Sequence, residues 1–199
     1  MTHSIILASG SETRAGLLHK AGVTFSAVSP RLDEESIRHA ATAEGARPAE
    51  VARILAEAKA AKVGLRHPQH LVIGCDQILA LDGKLFSKPR DRQQARSQLA
   101  ELSGRRHDLF SAVVVREGGR IVWHALGEAG MTMRRLSQGY IDDYVDRNWD
   151  DLRHTVGCYR IEAEGIRLFE KIEGDHFTIL GLPMLELIGY LADRGLVPS

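Results

Sequence analysis

Apolar runs and helical repeats take turns along this chain, and the polar residues between them mark where each element ends. Ser4 to Ala8 is a short run rich in β-branched residues, closed by Ser9-Gly10-Ser11, and it predicts a buried strand. Ser11 then caps a helix carrying Leu17, Leu18 and Ala21, which Gly22 ends. "VTFSAVS" alternates as a second strand would, and "PRLDEESIRHA" reads as loop plus a short helix. Pro48 suits a first helical position, with Val51, Leu55, Ala58 and Lys62 following at helical spacing to about Leu65. "HLVIGCD" predicts a buried strand, and "QILALDGKLFSKP" a hairpin about Asp82-Gly83.

The second half continues the pattern. Asp91 caps a helix with Ala95, Leu99 and Leu102 on one face. "HDLFSAVVVREGGRIVWHALGEAGMTM" predicts two long antiparallel strands about Gly118-Gly119. Ser137 caps a helix with Ile141, Tyr144 and Val145, "GIRLFEKIEG" is strand-like, and Pro183 starts a last helix with Leu187, Ile188 and Leu191, followed by Gly195. Strands and helices alternate early and a long antiparallel pair intervenes later. The expectation is therefore one mixed α/β domain over residues 1–199, a twisted sheet flanked by helices with two lobes around a central cleft.

Composition narrows the classes. The 199 residues carry 26 Lys plus Arg against 26 Asp plus Glu, which leaves no basic excess for nucleic acid or an acidic membrane surface. No apolar run approaches the length of a membrane span, and "MTHSIILASG" has neither the basic start nor the apolar length of a secretory leader. Cys75 and Cys158 form no zinc spacing and no disulfide framework, so a reducing cytoplasm is the expected compartment. The nine histidines show no HExxH pattern, there is no GxSxG elbow, and Trp123 and Trp149 are too scattered to stack bases.

Four features can carry chemistry. A strand, the Ser9-Gly10-Ser11 turn and a helix N-terminus together make an anion site, with free N–H groups, two hydroxyls and the guanidinium of Arg14. The same residues also read as a plain capped turn with Arg14 in solvent. Asp76 stands where the chain would leave a buried strand, placed to hold a metal or orient a water, or else to close a turn on its own backbone. Asp33, Glu34 and Glu35 are either an acidic helix start or the source of a second acid beside Asp76. Lys59 lies at the rim of an apolar helix face, where a lysine ordinarily runs its stem to solvent, and Lys88 sits on a loop stiffened by Pro89.

Each of these is weak alone, but their order is informative. "LASGSETRAGLL", "DEES", "AEAKA", "VIGCDQILALDGKLFSKP", "LSGRRH" and "EGDHFTILGLPM" together resemble the Maf family of nucleotide pyrophosphatases. The resemblance implies an inosine-triphosphatase-like α/β fold and a cytoplasmic enzyme that cleaves nucleoside triphosphates to the monophosphate and pyrophosphate. It also implies a divalent cation, Mg²⁺ or Mn²⁺, held by Asp76 and Glu34, with a homodimer as the form often seen. The family's motif residues fall on Ser9, Arg14, Glu34, Lys59, Asp76 and Lys88, with Asp76 as the active-site carboxylate and Ser11 in the same loop.

This chain departs from the family at Glu12 and Thr13, which stand where Pro-Arg is common, so Thr13 is a candidate for altered substrate choice. Gln77 and Glu162 resemble the branch acting on 7-methylated guanosine triphosphate, and a glutamate there can accept hydrogen bonds from a guanine edge. A contrasting reading is a non-catalytic, nucleotide-binding regulator of cell division and septum formation. Such a protein would keep the basic groups and could dispense with Glu34 and Asp76.

Overall fold

The apolar run at the start forms strand β1, Ile5–Ala8, in the computed structural model, which describes residues 4–198. The first three residues of the stretch read for a leader lie outside the described residues. In chain order there follow α1 (Glu12–Lys20), β2 (Phe25–Ala27), α2 (Glu34–Ala43), α3 (Pro48–Gly64), β3 (Leu71–Leu81), β4 (Lys84–Phe86), α4 (Arg92–Leu102), β5 (Arg106–Glu117), β6 (Arg120–Met133), α5 (Gln138–Leu152), β7 (Phe169–Glu173), α6 (His176–Ile179) and α7 (Met184–Asp193). The strands join a seven-stranded mixed sheet in the order β2-β1-β3-β5-β6-β7, with β4 beside β3. β1 is parallel to both β2 and β3, whereas β3–β4 and β6–β7 are antiparallel. This is the expected mixed α/β class. No helix among the described residues is long and apolar enough to cross a membrane.

The local signals act where they stand in the sequence. Ser11, Asp91 and Ser137 each accept a hydrogen bond from the backbone N–H three residues on, which removes one unpaired donor from each helix start. Asp33 does the same for α2. Asp82 and Gly83 both have positive φ, as the tight β3–β4 turn requires. Three expectations need correction. β3 does not end at Asp76: its apolar run continues through Ile78–Leu81 into the β4 pairing, so the aspartate lies inside an eleven-residue strand. "GIRLFEKIEG" splits into a 3-10 turn over Glu164–Leu168 and a shorter β7. The buried stripe of α3 is rotated from the expected one: it comprises Val51, Ala52, Leu55, Ala56, Lys59, Ala60 and Val63, whereas Lys62 is exposed.

The chain divides into two compact units. The first holds the described residues up to Gln77, with Phe110–Gly127 and the residues from Asp175 on. Its core packs Ile5, Leu7, Leu71, Ile73, Cys75, Val113 and Val115 from one sheet face against Leu18 of α1 and Leu187 and Leu191 of α7. The even-numbered positions of β3 point the other way, toward α3. There Gly74 lets the helix backbone come very close, so that an added Cβ would lie 2.8 Å from Ala60 Cβ and closer still to the Ala56 carbonyl. The second unit holds Ile78–Leu109 and Glu128–Gly174, with α4 packed on α5. Within it, buried His107 pairs through Nε2 with the Tyr159 hydroxyl at 2.8 Å, and the buried thiol of Cys158 meets Gln98.

Candidate active site

The alternation of β3 decides which side chain goes where. Gly74 and Asp76 share the α3 face, and Cys75 and Gln77 point to the opposite one. Because Gly74 and the small residues of "AEAKA" let α3 lie close, Lys59 reaches Asp76 directly. Its Nζ donates to Asp76 Oδ1 at 2.5 Å and lies 3.0 Å from Glu34 Oε1 at the start of α2. Lys59 and Asp76 are 6% and 5% exposed, while the Glu34 side chain is about half exposed at 49%. Lys59 is therefore not a lysine running its stem to solvent. Burial pushes the Asp76 carboxyl above its ordinary value, the positive charges of Lys59 and Arg14 and the Lys59 hydrogen bond oppose that rise, and Glu34 adds to it.

The β1–α1 turn supplies the second half of the site within the same unit. Buried Ser9 accepts the Ser11 N–H at 3.1 Å through its hydroxyl oxygen, and Ser11 accepts the Arg14 N–H at 3.4 Å. Both hydroxyl hydrogens stay available to a ligand, as do first-turn N–H groups of α1 that no helical carbonyl can reach. Arg14 is not loose in solvent. Its Nε donates to the Gly181 carbonyl at 2.8 Å and its Nη1 to the Cys75 carbonyl at 3.4 Å, which fixes the guanidinium and leaves its remaining N–H groups for an anion. A Cβ at Gly181 would lie 3.0 Å from Arg14 Nε, so the fit depends on that glycine. Thr13 is half-buried on the first turn of α1.

Gln77 faces away from Asp76. Its Nε2 donates to Ser111 Oγ at 3.0 Å and to the Thr178 and Ile179 carbonyls at 3.1 and 3.0 Å, and Ser111 also donates to Thr178 O at 2.7 Å. Its amide nitrogen thus braces the turn that Arg14 grips at Gly181. Sequence reasoning passed over Ser111, Thr178 and Gly181 as supports, and no local pattern marks them. Gly74 had a usable signal, since a glycine inside an apolar strand points to close backbone approach.

The remaining two candidates belong to the second unit. Lys88 is exposed, on a segment where Gln98 Nε2 donates to the Ser87 carbonyl at 3.0 Å and Pro89 is buried. Glu162 pairs with Arg160, Nε to Oε1 at 3.2 Å, and Arg160 also reaches Asp151 at 2.9 Å.

The family model described as "Maf-like protein" matches residues 4–194. The chain is 50% identical over 199 residues to a nucleoside triphosphate pyrophosphatase of Ruegeria pomeroyi, covering 100% of both chains. It is 48% identical to another so named from a Ruegeria species, covering 99% of each. It is 47% identical to a 7-methyl-GTP pyrophosphatase of Brucella abortus over 191 residues, or 96% of each. With full-length relatives at half identity and a family match over nearly all its residues, this chain belongs to the Maf-like protein family.

Proposed function

We propose that this chain hydrolyses nucleoside triphosphates to the monophosphate and pyrophosphate, by attack of water at the α-phosphorus. The observation that carries the reading is the meeting, in one unit, of a buried Lys59–Asp76 pair, a second carboxylate from Glu34 and the anion-binding start of α1. Asp76 is the general base: burial raises its affinity for a proton, and Lys59 keeps it ionised enough to take one from water. Arg14, Ser9, Ser11 and the first-turn N–H groups of α1 hold phosphate oxygens, so the dipole and the guanidinium act on one anion. Lys59 adds its charge, and positioning with electrostatics supplies most of the rate in such transfers. Glu34 is the second acid, Thr13 borders the phosphate cradle, and Gln77 acts through the turn that orients Arg14. The roles that the family resemblance implies for Lys88 on the triphosphate and for Glu162 on the base belong to the same proposal, as does the reading of both units as one catalytic domain.

A divalent cation fits this donor set. Asp76 and Glu34 offer hard carboxylate oxygens around one Lys59 ammonium, and Mg²⁺ or Mn²⁺ is commonly held by one or two carboxylates with substrate phosphates and waters completing the shell. Among the described residues no cluster of three or more His, Cys, Asp or Glu side chains forms, so the phosphates would have to supply the rest. Such a cation supplies charge neutralisation and a more acidic water. The test is a panel of nucleoside triphosphates, including 7-methylated guanosine triphosphate, assayed for pyrophosphate with Mg²⁺, with Mn²⁺ and with chelator. Metal-dependent release of pyrophosphate and monophosphate in equal amounts is expected. Tight nucleotide binding without turnover would establish the non-catalytic regulator instead.

A further inference from the structure

Just before β3 begins, two histidines share a small cavity. α3 ends at Gly64, and the chain returns to the sheet through a turn in which the His70 N–H donates to the His67 carbonyl at 3.1 Å. Pro68 sits inside this turn, and its fixed φ stiffens the backbone that carries both rings. The two ring centroids lie 5.4 Å apart, with their planes at 81°. His70 Nδ1 is buried and meets no hydrogen-bond partner among the described residues. Gly64, His67, His70, Arg116 and Glu117 border a cavity of about 10 Å³, room for about one water-sized occupant. All of them belong to the first unit. Asp76 lies six residues beyond His70 along the strand direction, about 20 Å away, so this cavity is separate from the Lys59–Asp76 cluster.

A buried ring nitrogen without a partner is costly, and an occupant of the cavity would relieve it. The spacing of the rings suits one kind of occupant. A Zn–N bond of about 2.0–2.1 Å puts each ring centroid about 3.2 Å from the ion, so two imidazoles at a tetrahedral angle have centroids about 5.2 Å apart. The 5.4 Å found here matches that spacing before any ion is bound. The donor type points the same way, because imidazole nitrogens suit Zn²⁺ whereas Mg²⁺ and Mn²⁺ prefer carboxylates. Among the described residues no three His, Cys, Asp or Glu side chains group together, so water would complete the shell. The nearby charges are divided. Arg116 lies across Gly64, where an added Cβ would be 3.0 Å from its Cδ and Nε, and its charge favours an anion. The C-terminal end of α3 carries the negative end of the helix dipole and favours a cation, as does Glu117, although Arg194 shares that carboxylate at 3.0 Å. The unpartnered nitrogen and the ring spacing decide for the cation.

We infer that His67 and His70 form a two-histidine site for Zn²⁺ in the turn between α3 and β3. The ion would clasp the turn that joins the helix of Lys59 to the strand of Asp76. None of its ligands belongs to the Asp76 cluster, so the inference is independent of the chemistry proposed there. The test is calorimetric titration of the full chain with Zn²⁺, in the presence of excess Mg²⁺ to occupy the carboxylates, with circular dichroism to verify folding. Wild type is expected to take up one Zn²⁺ per chain, and Asp76→Asn should do the same. Groups that merely support a metal ligand are worth about 10–100-fold in affinity, so His67→Ala and His70→Ala should each weaken binding by about tenfold or more. A wild type that takes up no Zn²⁺ overturns the inference. Uptake that survives both histidine substitutions, or that disappears in Asp76→Asn alone, overturns it by placing the ion elsewhere. A parallel titration uses inorganic phosphate: saturable phosphate binding that Arg116→Ala abolishes, in a protein that takes up no Zn²⁺, would make the cavity an anion site instead.

Discussion

Gly74→Ala tests the link between backbone packing and the site. A Cβ at Gly74 would lie 2.8 Å from Ala60 Cβ and 2.9 Å from Ala60 N, with the Ala56 carbonyl closer still. Non-bonded heavy atoms pack best at about 3.3–3.5 Å or more, and the Ala56 carbonyl sets the requirement, so α3 must withdraw from β3 by roughly 1 Å. Lys59 is on that helix and Asp76 on that strand, two residues from the substitution and on the same face. Their 2.5 Å contact would open to about 3.5 Å, beyond the usual range of a hydrogen bond. Overpacking of this kind costs about 1–3 kcal/mol, and a chain of this length loses about 2–4 °C in Tm per kcal/mol. The expected result is a Tm lower by up to about 10 °C, together with a loss of pyrophosphate release measured well below the new Tm. Gly189→Ala is the control. That residue lies in α7 with nothing within 4 Å of the added atom, and alanine there should leave stability unchanged or raise it by up to about 1 kcal/mol. A Gly74→Ala protein with wild-type Tm and wild-type turnover would refute the claim that this close approach sets the Lys59–Asp76 geometry.

Three further outcomes follow from the buried ionisable groups. Asp76→Asn should fold yet lose pyrophosphate release by on the order of a hundredfold or more, and full activity would remove Asp76 from the reaction. Because burial raises the Asp76 pKa above 3.8, the folded state binds more protons there than the unfolded state does, and wild-type stability falls as pH rises through that window. Asn has no such term, so the Tm difference, variant minus wild type, should grow as pH rises above 3.8; a shrinking difference would contradict the assignment. His107 behaves in the opposite sense. Burial, and then the Arg106 charge, lower its pKa from 6.5 to about 4, so the unfolded state binds the extra proton and stability is lost as pH falls from 6.5 toward about 4. The loss amounts to about 3 kcal/mol. His107→Gln should flatten that acid limb in pH-dependent thermal melts, and an unchanged slope would show that His107 is not its source.

What could be read from the sequence was whatever a few neighbouring residues decide. Helix caps at Ser11, Asp91 and Ser137 need only a hydroxyl or carboxylate three residues before an N–H, and the β3–β4 turn needs only Asp82-Gly83. The stripe of α3 was harder because "RILAEAKAAKVG" is rich in alanine, which leaves little contrast between one face and the next. Periodicity alone therefore could not separate Lys59 from Lys62; only the family resemblance did, and in the fold Lys59 is the buried one of the two. Asp76 looked like a strand end because an acid inside an apolar run is costly unless paired, and its partner lies 17 residues back on another element. The role of Gln77 was hidden for the same reason. Its acceptors at Thr178 and Ile179 are backbone carbonyls about a hundred residues away, contributed by a helix of four residues that no pattern announced.

The same burial that makes Asp76 a liability for folding would suit it to the proposed role of base. An exposed aspartate at neutral pH is fully ionised and a poor proton acceptor, because its conjugate acid is strong. Taking the carboxylate out of water raises its proton affinity, and without a counter-charge the group would protonate and be lost as a base altogether. Lys59 opposes that, but a full neutralising pair would leave Asp76 as inert as a structural salt bridge. Glu34 keeps the balance from closing: it shares the ammonium of Lys59 from the half-exposed side and pushes the Asp76 proton affinity back up. Three charges on α2, α3 and β3 thus hold one carboxylate between two extremes. Gly74 permits the helix approach on which that balance depends.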